Sequence, residues 1–96
     1  MMLGHLDHLT PRSLSGWARH DMRSIRPVPL LVTVDGQFAG RVLANAYRAD
    51  VAAAGHGFGQ HGFTLESPLL TPGALVEIMR DPDGESLPGG PFVVPA

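Results

Sequence analysis

Two apolar runs joined by Asp35 and Gly36 constrain the fold of this chain more than any other feature of its sequence. The first run, residues 30–35, is rich in β-branched residues, and the second, residues 37–45, also has the composition of an extended segment. Asp-Gly between two such runs is the strongest short-range signal for a β-hairpin, because both central positions of the turn need a positive φ. The side chains expected to face the core are Leu30, Val32 and Val34 on the first strand and Phe38, Gly40, Val42 and Ala44 on the second. Gly40 is expected to mark a bulge or a close approach.

Glycine and proline divide the rest of the chain into short segments, with 12 and 9 residues respectively. No segment is long enough for the helix of a parallel crossover, which disfavours an α/β sheet. The sequence therefore predicts an all-β domain, a single antiparallel β-sandwich of Ig-like architecture with six to seven short strands and one short helical turn. The further strands are expected over residues 13–19, 62–66, 74–80 and 91–94. We expect the domain to span residues 13–96, after a flexible N-terminal arm over residues 1–12.

Composition excludes several functional classes. The chain has no cysteine, which removes disulfides, thiolate catalysis and cysteine-based zinc sites. A formal net charge of -2 without long charge runs gives no basic surface for nucleic acid. No apolar run approaches the roughly 20 residues that span a bilayer, and the first ten residues lack the features of a signal peptide. We expect no membrane insertion, and a cytoplasmic location is slightly favoured.

The densest cluster of unusual residues runs from Tyr47 to Leu65. Asp50 is expected to cap a helical turn over residues 51–54, and Gly55 to end that turn with a positive φ. Arg48 and Asp50 are expected to form a structural pair, and His61 to donate to a backbone carbonyl. We interpret the stretch as a shaped loop followed by a strand, with Phe63 in the core. Its structural residues are Arg48, Asp50, Gly55, Gly57, Gly59, His61, Gly62 and Phe63.

The order of these motifs resembles a small β-sandwich module of bacterial proteins that is often appended to glycosyltransferases. The matching pattern is G-W at Gly16, then V-x-V-D-G ending at Gly36, then R-x-D-V-x-x-A-G-x-G-x-G-x-H-G-F from Arg48 to Phe63. The resemblance covers roughly residues 14–94. The sequence departs from the pattern at His56 and Phe58 and in the unusual composition of the loop over residues 20–29. It implies a non-catalytic accessory or interaction module from a glycosyltransferase or surface-polysaccharide setting. We expect no cofactor, and the expected partner is a glycan or another protein domain.

Two alternatives remain beside that function. In the first, the chain binds carbohydrate directly, and Trp17, His56 and Phe58 supply the stacking surface. In the second, which we rank lowest, the chain is a small hydrolase that uses His56 and His61. We expect no metal site, although His5, His8 and His20 near the N-terminus are a conceivable ligand set. The acidic residues Asp81, Asp83 and Glu85 lie on a predicted turn, where a solvated cluster is favoured over a calcium loop.

Overall fold

The computed structural model describes all 96 residues and contains eight strands and one short helix. The elements are β1 (Leu3–Thr10), β2 (Ser13–Arg19), β3 (Val28–Val34), β4 (Gln37–Ala44), β5 (Ala46–Tyr47), α1 (Ala49–Ala53), β6 (Gln60–Glu66), β7 (Leu75–Arg80) and β8 (Phe92–Val93). The strands form two antiparallel sheets of four strands each. Sheet A has the order β1-β2-β6-β5, and sheet B has the order β4-β3-β7-β8. The expectation of an all-β chain with one helical turn is confirmed, with one more strand than predicted.

Both sheets contribute to one hydrophobic core. Alternate residues of β2, β3 and β7 are buried, as a strand with one covered face requires. Sheet A supplies Leu14, Ala18 and Phe63, and sheet B supplies Leu30, Val32, Val34, Val76 and Ile78. The predicted core positions Leu30, Val32 and Val34 on β3 and Phe63 on β6 are therefore confirmed. We call the side of each sheet that faces away from this core its outer face.

The predicted hairpin forms at Asp35 and Gly36. Strands β3 and β4 pair in antiparallel register, with Val34 opposite Gln37, and the two turn residues have φ of 50° and 80°. These values fit the two-residue turn that matches the natural twist of a hairpin. Asp35 also binds the neighbouring strand, because its backbone amide donates to the Leu75 carbonyl oxygen at 2.8 Å and its carboxylate accepts from the Leu75 amide at 2.9 Å. One residue thus makes the turn and joins it to β7.

Phe38 was predicted to face the core, and this prediction is wrong. Ala39 is an extra residue in β4, since Thr33 lies opposite Phe38 while Val32 lies opposite Gly40. Such a bulge shifts the alternation of side chains by one position. Ala39 packs against the core, whereas the Phe38 ring points outward and is 61% exposed. Gly40 lies beside this bulge, and a Cβ there would be 3.0 Å from Leu65 Cδ1, as the expected close approach requires.

The N-terminal segment is strand β1, which corrects the prediction of a flexible arm over residues 1–12. Met2 is fully buried in the core, and Leu6 and Leu9 pack against it. The strand pairs with β2 along its length, but Asp7 is an extra residue between Leu6 and His8. This second bulge breaks the alternation of apolar residues, so the segment looks merely polar in the sequence.

Candidate functional site

The central stretch folds as predicted at the end of helix α1 and differently at its start. Gly55 has a φ of 89°; its amide donates to the Ala52 carbonyl oxygen, and the His56 amide donates to that of Val51. This pair of bonds is the Schellman pattern that ends many helices. The predicted capping role of Asp50 is wrong, because Arg48 occupies the N-cap position and no side chain caps the helix. Asp50 instead lies inside the first turn, where its charge is favoured by the exposed amides.

Two glycines are required for the loop to close against Arg48. Gly59 has a φ of 78°, and a Cβ at that position would lie 2.6 Å from the Arg48 carbonyl oxygen. A Cβ at Gly62 would lie 2.9 Å from Cδ of Arg48. The Arg48 side chain therefore runs directly over Gly62 on the outer face of sheet A. Any larger residue at either position would force the loop or the guanidinium to move.

Arg48 holds two carboxylates across this face. Its Nε and Nη2 donate to the two oxygens of Asp50 at 3.1 and 2.6 Å, so the predicted pair forms with bidentate geometry. Its Nη1 donates to Asp7 on β1, a partner that sequence reasoning missed. Hydrogen bonds from Arg48 lower the pKa of Asp50, and those to Asp50 and Asp7 raise the pKa of Arg48. The guanidinium thus links the loop to the far edge of the sheet.

A groove of about 380 Å³ lies beside this ion network on the outer face of sheet A. Ser15 on β2 and Thr64 on β6 are paired opposite each other and bring hydroxyl groups to its lining. His8, Tyr47 and Arg48 also line it, and the Tyr47 side chain is 64% exposed. The groove therefore combines an exposed aromatic ring, hydroxyl groups and a fixed set of charges. A depression of about 520 Å³ beside Arg12 and Glu66 is larger but contains no aromatic side chain.

Trp17 and His56, two of the three predicted ligand-binding residues, are in contact. Their ring centroids are 4.4 Å apart, with the ring planes tilted by 40°. Phe58, the third, is 74% exposed and makes no aromatic contact. The three residues therefore do not form one stacking surface. Trp17 is half-buried, and its outer side is occupied by the loop that carries His56.

Arg19 is a buried cation that sequence reasoning missed. It is only 4% exposed, and no carboxylate lies within ion-pair distance. Its Nε donates to the Ser24 carbonyl oxygen at 2.9 Å, its Nη2 donates to that of Met22, and its Nη1 lies 3.3 Å from His56 Nδ1. It fastens the loop over residues 20–27 to the central loop. The sequence feature that could have indicated this role is the loop over residues 20–27. A polar loop with few apolar residues needs a side chain from another element to hold it in place.

His61 is buried, but the prediction that it donates to a backbone carbonyl is wrong. The residue is 1% exposed, and its Nδ1 has no hydrogen-bond partner. A Cβ at Gly57 would lie 3.6 Å from His61 Nε2 and 3.8 Å from Arg19 Nη2, so both groups border the same point of the loop. Burial lowers the pKa of His61 below its ordinary value of 6.5, and the nearby charges of Arg19, His56 and His20 lower it further.

The acidic turn after β7 is organised by Arg80. This guanidinium bonds Asp83 through Nε at 3.0 Å and through Nη2 at 2.6 Å, and it bonds Glu85 at 3.0 Å. The hydrogen bond from Arg80 lowers the pKa of Asp83 to about 2.

At the other end of the chain, His5 Nε2 lies 3.9 Å from Asp7. No group of three or more histidine, aspartate or glutamate side chains has an arrangement that could hold a metal ion.

No known protein family, curated protein or solved structure matches the chain. The assignment of a site therefore depends on geometry. The structure contains no helix of the length and apolar character needed to cross a membrane.

Proposed function

We propose that the chain is a non-catalytic accessory module with an Ig-like β-sandwich fold, and that it binds its ligand in the groove on the outer face of sheet A. The fold proposal is supported by two antiparallel sheets that share one core. The motif order from Gly16 to Phe63 supports the same kind of module, by its resemblance to domains appended to glycosyltransferases.

The observation that carries the binding proposal is the groove beside Arg48. Binding sites join an apolar or aromatic surface to a few fixed polar groups, which set the orientation of the ligand. Tyr47 supplies an exposed ring, and the bonded set of Arg48, Asp7 and Asp50 supplies charges that are already held in place. Preorganised groups lose little entropy when a ligand binds.

These groups favour a saccharide as the ligand, which is the function we ranked second from the sequence. A sugar presents an apolar C–H face for an aromatic ring and hydroxyl groups for hydrogen bonds at its rim. The groove offers the ring of Tyr47 and the hydroxyls of Ser15 and Thr64. We therefore propose Tyr47 as the stacking residue, in place of the surface first predicted at Trp17, His56 and Phe58.

The hydrolase alternative would need a histidine within hydrogen-bond reach of a hydroxyl and an acid. The His56 Nδ1 atom instead lies 3.3 Å from Arg19 Nη1, and His61 Nδ1 has no partner. These contacts support a role of both residues in holding the loop. A direct assay of glycoside and ester hydrolysis by the purified chain remains the test of this alternative.

Glycan-array binding, followed by titration calorimetry with the best ligand, tests the proposal. Tyr47→Ala should weaken binding by about tenfold or more, since loss of a stacking ring costs on the order of 1–2 kcal/mol. Phe38→Ala removes an equally exposed ring from sheet B and should leave the affinity unchanged. Phe58→Ala distinguishes binding in the groove from binding at the surface first predicted, because Phe58 belongs only to that surface. Affinity lost with Phe58→Ala and kept with Tyr47→Ala would place the site at the loop instead, and no glycan binding at all would contradict the saccharide proposal.

A further inference from the structure

The outer face of sheet B is unusually apolar for a surface that no other part of the chain covers. Alternation along β3 and β7 turns Leu31, Thr33, Leu75, Glu77 and Met79 away from the core. Directly opposite residues of an antiparallel pair point to the same side, so the register adds residues from the two edge strands. The apolar members of the face are Leu31, Phe38, Leu43, Leu75, Met79 and Val93.

Four of these side chains are strongly exposed. Phe38 is 61%, Val93 60%, Leu43 46% and Leu75 41% exposed. The outer face of sheet A differs, since its paired positions include Ser13 with Glu66 and Ser15 with Thr64. Several exposed apolar side chains on one sheet face, interspersed with Thr33, Arg41 and Glu77, indicate a protein contact, whereas isolated exposed apolar residues are ordinary.

We propose that a second copy of this chain covers the outer face of sheet B, in a two-fold dimer whose axis runs along β3. The charges of the face decide the occupant. Glu77 lies in the middle of the face and forms no ion pair within the chain. A purely apolar partner would bury its carboxylate without a cation, which is strongly unfavourable. A second copy supplies the missing cation.

The sheet order brings that cation to the right strand. Strands β4 and β7 flank β3 on opposite sides, so a two-fold axis along β3 places β4 of each copy over β7 of the other. Arg41 on β4 lies opposite Leu31, and Glu77 on β7 lies opposite Thr33, two residues further along β3. This offset is roughly 7 Å along the strand, which the two long side chains can span. The Arg41 side chain is 68% exposed, and its guanidinium lies 5.8 Å from the Phe38 ring and 3.2 Å from Asp81.

Each copy therefore offers an arginine above a phenylalanine on one side of β3 and an unpaired glutamate on the other. The face is complementary to itself under the proposed rotation, as a closed dimer requires. The Arg41 guanidinium turns from Asp81, whose amide bonds the Pro29 carbonyl oxygen, toward Glu77 of the second copy at the level of Thr33. The apolar side chains of both copies then lose water together, which supplies the driving force for association.

Sedimentation equilibrium of the purified chain, over a concentration series of about two decades, tests the dimer. We expect a monomer–dimer equilibrium for the parent chain. Glu77→Arg and Arg41→Glu should each raise the dissociation constant by about tenfold, because each creates a like-charge contact in the interface. The double variant R41E/E77R restores opposite charges across the interface, while the carboxylate at position 41 repels Asp81, so it should associate more tightly than either single variant.

Two further variants control for fold and for location. Phe38→Glu should abolish the dimer, while Phe58→Glu, a similarly exposed position outside sheet B, should leave it intact. A parent chain that remains a monomer throughout the series would overturn the proposal. A dimer that tolerates Glu77→Arg and Phe38→Glu would show that another surface is used. Failure of the double variant to recover association would overturn the two-fold pairing of Arg41 with Glu77. Melting curves of each variant separate loss of association from loss of fold.

Discussion

His61 is a histidine whose ring is enclosed on every side and is left with an unpaired nitrogen, Nδ1. The charges that face it are Arg19 from the end of β2, His20 from the following loop and His56 from the central loop. No carboxylate is among them, so nothing nearby compensates a proton on the ring. The neutral form is therefore the form that fits the folded chain.

Stability should consequently fall as the solution becomes acidic. The pKa of His61 is lower in the folded chain than its ordinary value of 6.5, so the unfolded chain binds the proton more tightly. This contribution to stability is fully present above that value and is lost as the pH drops below it, until the folded-state pKa is reached. Melting temperatures measured from about pH 8 to about pH 5 should show the decline.

Replacing the ring identifies the group responsible. His61→Phe keeps a ring of similar shape and removes the titration, so its melting temperature should depend less on pH in this window. His8→Gln is the matched control, because His8 lies exposed on β1 and should leave the parent dependence unchanged. An equal pH dependence in His61→Phe and the parent would contradict the assignment.

At the scale of elements, the β3–β4 hairpin depends on the two residues of its turn. Gly36 has a φ of 80°, a conformation in which a β-branched side chain is strained. Gly36→Val should lower the free energy of unfolding by about 1 kcal/mol or more. Gln37→Val places the same side chain one residue later, on an exposed strand position, and should change stability by less than about 0.5 kcal/mol. Urea denaturation of both variants measures this difference. Equal free energies of unfolding for the two variants would show that a β-branched side chain causes no strain at position 36.

The elements that depend on local chemistry could be predicted from the sequence. The prediction failed where a strand contains an extra residue. Turn geometry and the alternation of side chains along a strand predict the hairpin at Asp35, the end of helix α1 at Gly55 and the buried positions around Phe63. Strand β1 and the outward position of Phe38 were missed, because bulges at Asp7 and Ala39 interrupt the period of two. A bulge depends on pairing with a distant strand, and a single segment does not reveal it.

The candidate site was predictable to a similar degree. The pair of Arg48 with Asp50 is local and was expected, whereas Asp7 comes from a strand 41 residues away in sequence. Tyr47 stood at the start of the central stretch but was not singled out, since its exposure is decided by the position of β5 at a sheet edge. Arg19 was missed because its partners are the carbonyl oxygens of a loop with no regular pattern.

At the scale of the whole molecule, one core stabilises both sheets, and Phe63 is a large side chain within it at 3% exposure. Small domains have a net stability of only about 5–15 kcal/mol. Phe63→Ala should cost about 3–5 kcal/mol, through lost transfer energy and the cavity that remains. Phe58→Ala deletes the same ring from an exposed position outside sheet B and should cost less than about 1 kcal/mol. Guanidinium denaturation measures both, and a near-parent midpoint for Phe63→Ala would contradict its place in the core.

The edges of the two sheets have a consequence for how the chain behaves at high concentration. Strands β5 and β8 are edges of only two residues each, and the longer edges, β1 and β4, are each interrupted by a bulge. A flat, uninterrupted edge is a template on which further chains add strands and grow into fibrils. None of the four edges offers such a template, so the native chain is protected against polymerising through its backbone.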